Sequence, residues 1–289
     1  MTWIGSATKK IKRQYVDQVL LKFGVEIKEF ASELDYFTIS ERLKRKSIDL
    51  VISQLARFFS LAGHPADANE LEKHILAFYS IAPNCPVRQS GGGCGFNAGL
   101  ELFVTARLLQ PPVIVESGVY RGFTTWVLRE AVPQTRIISF DIDLSRVRHP
   151  TERVEYVEAD ISTYDFRSLP KDDALCFFDD HVNQVLRIEQ ARSLGFSNLI
   201  FDDNLPAHGL HADGLAPFPT VDMIFDDDLA EGELIEWQTK TRSQYRARKA
   251  DLLALREKIA FAQRFPDLSW ETGYSGSNLT YVRLRSSTV

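Results

Sequence analysis

The chain has 289 residues, 44% of them hydrophobic and 25% charged, with a formal net charge of -5. That is enough apolar material for one large domain or two modest ones, and the acidic balance argues against a nucleic-acid coat. Cys85, Cys94 and Cys176 show no metal-binding spacing and leave one thiol without a mate, as in a reduced cytoplasmic protein; no apolar run is long enough to span a bilayer or to follow Lys9, Lys10, Lys12 and Arg13 as a signal-peptide core.

The first third reads as helical. Val16, Val19, Leu20 and Phe23 share a helical face ahead of Gly24, and Ile48, Val51, Ile52, Leu55, Phe58 and Phe59 share another ahead of Gly63. Leu71, Ile75, Phe78 and Tyr79 form a third, shorter stripe. Residues 82–95 break the pattern with two prolines and Ser90-Gly91-Gly92-Gly93-Cys94-Gly95, read as a flexible linker or, as the functional option, a lid over a ligand. No Gly-Lys-Ser/Thr follows, so this is not a phosphate-binding loop.

From Phe96 the pattern becomes strand–helix alternation, the sign of a parallel sheet covered on both faces. Strands are expected at Val113–Glu116, Arg136–Asp141, Val154–Val157, Ala174–Asp179 and Asn198–Asp202. A helix should begin after Gly122, and another should run from about His181 to Leu194 with Gly195 as its stop. Residues 205–219 read as a proline- and glycine-rich surface loop. A charged helix over Thr241–Gln263 follows, with Leu252, Leu255 and Ile259 inward. Leu268–Thr272 and Leu279–Arg285 read as a terminal hairpin on the sheet edge.

The chemistry concentrates at strand ends. Val113 to Glu116 run into Gly118-Val119-Tyr120-Arg121-Gly122 and then Phe123-Thr124-Thr125, a strand, a glycine turn and a helix start. A dinucleotide fingerprint needs glycines two and five residues after Gly118, where Tyr120 and Phe123 stand. An acid at Glu116 would repel pyrophosphate yet could pair with an ammonium group. S-adenosylmethionine, with an amino acid head and no phosphate, therefore fits better than NAD. Asp141, one strand on, suits the ribose hydroxyls, its structural alternative being a helix cap. Asp160 suits the adenine amino group or a cap equally. Asp179, Asp180, Asp202 and Asp203 end two further strands; four acids around one cleft would repel one another without a cation. His181 is the nearest candidate base. His208 and His211 with Asp213 could suit a transition metal, although a plain surface loop is the simpler reading.

In this order, Glu116-x-Gly118-x-x-x-Gly122, Phe140-Asp141, Glu158-Ala159-Asp160, Phe178-Asp179-Asp180-His181 and Phe201-Asp202-Asp203-Asn204 resemble the class I S-adenosylmethionine-dependent methyltransferases. Within them the chain is most similar to metal-dependent O-methyltransferases of the catechol type and of the macrolide- and aminocoumarin-sugar type, with the cephalosporin-hydroxylase-like proteins. The resemblance covers roughly residues 96–204 and the terminal hairpin. It implies an α/β, Rossmann-like methyltransferase fold, with a mostly parallel seven-stranded sheet and a terminal antiparallel hairpin. Residues 1–95 would form an N-terminal helical extension and linker, and 96–289 the methyltransferase domain.

The resemblance implies cofactor contacts at Glu116, Gly118, Tyr120, Gly122, Thr124, Asp141 and Asp160. It also implies a Mg²⁺ site, at Asp179, Asp203 and Asn204 by the catechol pattern or at Asp179, Asp202 and Asp203 by the sugar pattern. The catechol type's lysine base is replaced by Val182, which leaves His181 beside Asp179 for that role. The expected activity is O-methylation of a small hydroxylated acceptor, sugar or phenol. The alternatives are a hydroxylase-like or NAD-linked enzyme on the same scaffold, or a non-catalytic cofactor-binding protein. No nucleic-acid or membrane partner is expected, and the N-terminal helices could form a homodimer.

Overall fold

The computed structural model describes residues 41–87, 93–208, 217–236 and 244–285, all within the unit Glu33–Val289. The expected first helix around Val16–Phe23, the first half of the Gly-rich run (Ser90 to Gly92) and His211 with Asp213 lie outside the described residues. Two helices come first, α1 (Glu41–Leu61) and α2 (Ala68–Ile81), capped at its start by Asp67, whose carboxylate accepts from the Asn69 and Glu70 amides. They carry the expected stripes inward: Ile48, Val51, Leu55, Phe58, Phe59, Leu71, Ile75 and Phe78 are all buried.

Then follow α3 (Phe96–Leu109), β1 (Val113–Ser117), α4 (Phe123–Ala131), β2 (Arg136–Asp141), β3 (Val154–Glu158), β4 (Leu175–Phe178), α5 (Gln184–Leu194) and β5 (Asn198–Phe201). The five expected parallel strands are present within a residue of their expected ends, and Gly195 closes α5 at φ 88°. The helix α3 lacks a polar face, with Phe96 to Ala106 buried throughout, because it sits under α2 and α4 within one apolar layer.

The last part departs from expectation. After α6 (Val221–Phe225), β6 (Leu234–Glu236) and β7 (Gln244–Arg246) form a separate antiparallel pair. The long charged helix is only α7 (Lys249–Arg256), and Ile259–Arg264 is strand β8. Residues 269–272 form a short helix, α8 (Ser269–Thr272), rather than a strand, and the hairpin joins β8 to β9 (Thr280–Leu284). Leu252 and Leu255 do point inward, as the helical reading expected.

The seven-stranded sheet runs β3-β2-β1-β4-β5-β9-β8, parallel from β3 to β5 and antiparallel at β9 and β8. Period-2 alternation divides its side chains between two layers. Ile114, Ile137, Leu175, Phe177 and Ile200 join the α1–α4 side, while Val113, Val115, Ile138, Phe140, Cys176 and Phe178 join the α5–α7 side. Strand order reverses between β1 and β4, and the crevice beyond their carboxyl ends is where such sheets hold ligands.

Candidate active site at the carboxyl ends of β1, β4 and β5

Gly118 ends β1 at φ +99°, and a Cβ there would lie 2.2 Å from the Asp179 carbonyl oxygen. The turn therefore approaches the end of β4 more closely than any side chain allows. Its amide donates to the Phe140 carbonyl, while the Asp179 amide donates to the Ser117 carbonyl, each at 2.8 Å. Tyr120 sits at φ 47°, so the position where a dinucleotide fingerprint carries glycine keeps a left-handed backbone here despite its side chain. Gly122, at φ +90°, opens α4.

Asp141 gathers this turn. Its Oδ2 accepts from the Val119 and Tyr120 amides and its Oδ1 from the Asp143 amide, all at 2.9 Å. Glu116 lies beneath the turn instead of on its open side. Two residues on from Ile114, it faces the α4 layer, fully buried, and accepts from Thr124, Thr125 and Ser139 hydroxyls at 2.6 Å each. Burial pushes its carboxyl up, and the three hydroxyls pull it back down. Thr124 is likewise turned onto Glu116.

Asp160 caps the turn after β3 through the Ser162 amide and forms an ion pair with Arg187, whose side chain is 2% exposed. The guanidinium holds the Asp160 carboxyl well below the ordinary carboxylate range. Arg187 also binds Asp180 at 2.9 Å, and Asp180 accepts from the Ser117 hydroxyl at 2.6 Å. Neither Arg187 nor Ser117 stands out in the sequence, because Arg187 acquires its role from burial between Asp160 and Asp180, and Ser117 from its contact with Asp180.

The remaining acids meet as the strand-end pattern suggested. Asp179, Asp180, His181, Asp202 and Asp203 line one narrow cleft, with Pro217 also on its wall. His181 Nδ1 lies 3.0 Å from Asp203 Oδ2, both residues being at positive φ. Among the described residues no lysine or arginine pairs with Asp179, Asp202 or Asp203. Burial, then the charges of Asp202, Asp203 and Asp180, pushes Asp179 well above the carboxylate range; burial and Asp203 push Asp202 up to about 6. The nearby Asp203 carboxylate raises His181.

Asn204 is not brought to the acids. It is fully buried, its amide nitrogen donating to Asp222 and Thr280 and its oxygen accepting from the Asp222 amide, so no atom remains for an ion. Cys94 takes an unforeseen place instead. It is 6% exposed, with Sγ 3.2 Å from Asp202 Oδ2 and 3.7 Å from Asp179 Oδ2. The end of the expected linker thus packs on the cleft. Gln184, 2% exposed, ties the cleft to the following loop by donating to the Asp202 carbonyl and accepting from the Val221 amide.

Seven strands, the reversal between β1 and β4, and an antiparallel β9 between β5 and β8 define the architecture. The fold is a Rossmann-like methyltransferase fold. No family model and no curated protein matches the chain. Among solved structures of similar fold, cmcI with SAH is 22% identical over 38% of this chain and 61% of its own, at a TM-score of 0.34. SAH-bound methyltransferase PaMTH1 of Podospora anserina is 15% identical over 87% of this chain and 99% of its own, at 0.41. The O-methyltransferase TomG of Streptomyces achromogenes, involved in tomaymycin synthesis and solved with SAM, is 16% identical over 86% and 100%, at 0.40. No helix of the described residues is long and apolar enough to cross a membrane.

Proposed function

We propose that the chain is an S-adenosylmethionine-dependent methyltransferase acting on an oxygen of a small hydroxylated acceptor, a sugar or a phenol. The observation that carries this reading is the juxtaposition, at one reversal in strand order, of a phosphate-unfriendly glycine turn and an acidic cleft in which, among the described residues, no lysine or arginine pairs with Asp179, Asp202 or Asp203. The open side of the turn, from Gly118 to Gly122, would receive the methionine end, with Tyr120 beside it. Asp141 keeps lone pairs for ribose hydroxyls while its backbone contacts hold the turn in shape. Glu116 and Thr124 would act from below, fixing the turn instead of touching the ligand. Asp160 would border the adenine pocket, oriented by Arg187.

The three carboxylates Asp179, Asp202 and Asp203 fit a divalent cation, which would relieve their mutual repulsion. When bound, the cofactor supplies a methyl group on a sulfonium, and the ion supplies a fixed positive charge that acidifies an acceptor hydroxyl. His181 would take up that hydroxyl's proton, with Asp203 stabilising the imidazolium. Gln184 and Ser117 would hold the acids in register.

The test is ligand-dependent stabilisation followed by methyl transfer. S-adenosylhomocysteine at 100 times its dissociation constant should add about 2.7 kcal/mol of stability, and NAD should add none. Absence of any shift at millimolar S-adenosylhomocysteine would sink the reading. Transfer of labelled methyl to a panel of catechols and sugars then separates an enzyme from a binding protein.

A further inference from the structure

Two donors that magnesium does not favour stand beside the acids, Cys94 against Asp179 and Asp202 and His181 within the cleft. Cys94 Sγ lies with carboxylate oxygens of Asp179 and Asp202, and His181 lies with carboxylate oxygens of Asp179 and Asp203; within each trio all ligand atoms are within 4.8 Å of one another. Asp179 belongs to both trios, with the sulfur donor in one and the imidazole in the other. Mg²⁺ requires oxygen ligands in near-ideal octahedral array, whereas thiolate and imidazole suit Zn²⁺ and its neighbours.

The spacing agrees. Two metal–ligand bonds of roughly 2.1–2.3 Å at a tetrahedral angle place their ligand atoms about 3.6 Å apart. Cys94 Sγ is 3.2 and 3.7 Å from its two carboxylate neighbours. Cys94 is also unlike the other two cysteines: Cys176 is buried within the apolar α5–α7 side, and Cys85 contacts the Val87 carbonyl.

We propose that Cys94 is a metal ligand, together with Asp179 and Asp202, and that the site selects a thiophilic divalent ion of the zinc class over magnesium. The proposal rests on the reading of the cleft as a cation site and assigns its ion and one ligand from outside the strand ends.

Cobalt(II), a spectroscopic stand-in for zinc, tests this in the full chain freed of metal by chelation. Titration should give a sulfur-to-cobalt charge-transfer absorption with one equivalent bound, and a hundredfold excess of Mg²⁺ should not displace it. Cys94→Ser retains Cys85 and Cys176, yet should lose the band and bind cobalt at least about tenfold more weakly. Asp202→Asn, which leaves the thiol in place, serves as the second variant if Cys94→Ser does not melt cooperatively, and it too should weaken binding about tenfold. Cobalt bound without the band, an unaltered band in Cys94→Ser, or ready displacement by Mg²⁺ would overturn the proposal. Stabilisation by S-adenosylhomocysteine in the metal-free protein reads the cofactor pocket separately. A chain that binds that ligand but shows no cobalt–thiolate band therefore loses only this proposal.

Discussion

At the scale of single residues, Gly118 carries the sharpest constraint. Alanine there must accept φ +99° and place a Cβ 2.2 Å from a backbone carbonyl of β4, a wall that cannot rotate away. Left-handed strain and overpacking each cost about 1–3 kcal/mol, so Gly118→Ala should lose about 3 kcal/mol or more in urea denaturation. A loss below 1 kcal/mol would show that the turn and the β4 end are not in contact. Asp160 offers a pH-dependent counterpart. Its folded pKa lies below its ordinary 3.8, so the Arg187 pair stabilises the fold above that value and loses its effect as pH falls through the folded value. With Asp160 37% exposed and Asp180 still holding Arg187, the discounted cost of Asp160→Asn is about 1–2 kcal/mol at pH 7. That difference from the parent chain should shrink below about pH 4; a difference independent of pH would point to packing instead of charge. Both residues were visible in the sequence as strand-end punctuation. What Asp160 binds was not, since the nearby strand end at Glu158 gives no hint of an arginine 27 positions on.

At the scale of elements, α1 is held by aromatic contact. Phe58 stacks on Phe265 with ring centroids 4.3 Å apart and is 2% exposed. Phe58→Ala should therefore cost about 3–5 kcal/mol, measured by denaturant titration, unless the site collapses. The parallel strands were legible because each is a short apolar run ended by an acid or glycine, and α1 and α2 because their stripes repeat at helical spacing. The helix α3 was missed since Phe96 to Ala106 is buried on all sides, which leaves no amphipathic period. β8 was read as helix because the stripe of α7 runs on to Ile259, while Lys258 and the charged residues before it hide the break. Its antiparallel mate supplies the pairing that decides the outcome, a tertiary effect that local propensity does not encode. Cys94 was discounted for a related reason: a thiol among glycines looks like linker until the fold sets it on two acids.

Across the whole molecule the site is assembled from distant parts. The turn after β1 and the acids after β4 and β5 come from the parallel half, yet the loop beyond Asp203 is anchored through Asn204 to Thr280 on β9 and to Asp222 on α6. Asn204→Ala leaves two of those buried partners short of a hydrogen bond, at about 1–3 kcal/mol. It should also weaken divalent-ion binding, read by calorimetry, although no proposed ligand is removed. Unchanged ion affinity would mean the acids hold their places without that anchor. β9 itself fills an interior place, between β5 and β8, rather than the rim. A growing chain that has left the ribosome only as far as β8 would present the hydrogen-bonding edge of β5 open, a template for mispairing with its neighbours. The cofactor-side strands can form early in synthesis, but the acidic cleft acquires its final support only when residues 280–284 arrive. Birth order along the chain therefore separates the two halves of one active centre in time.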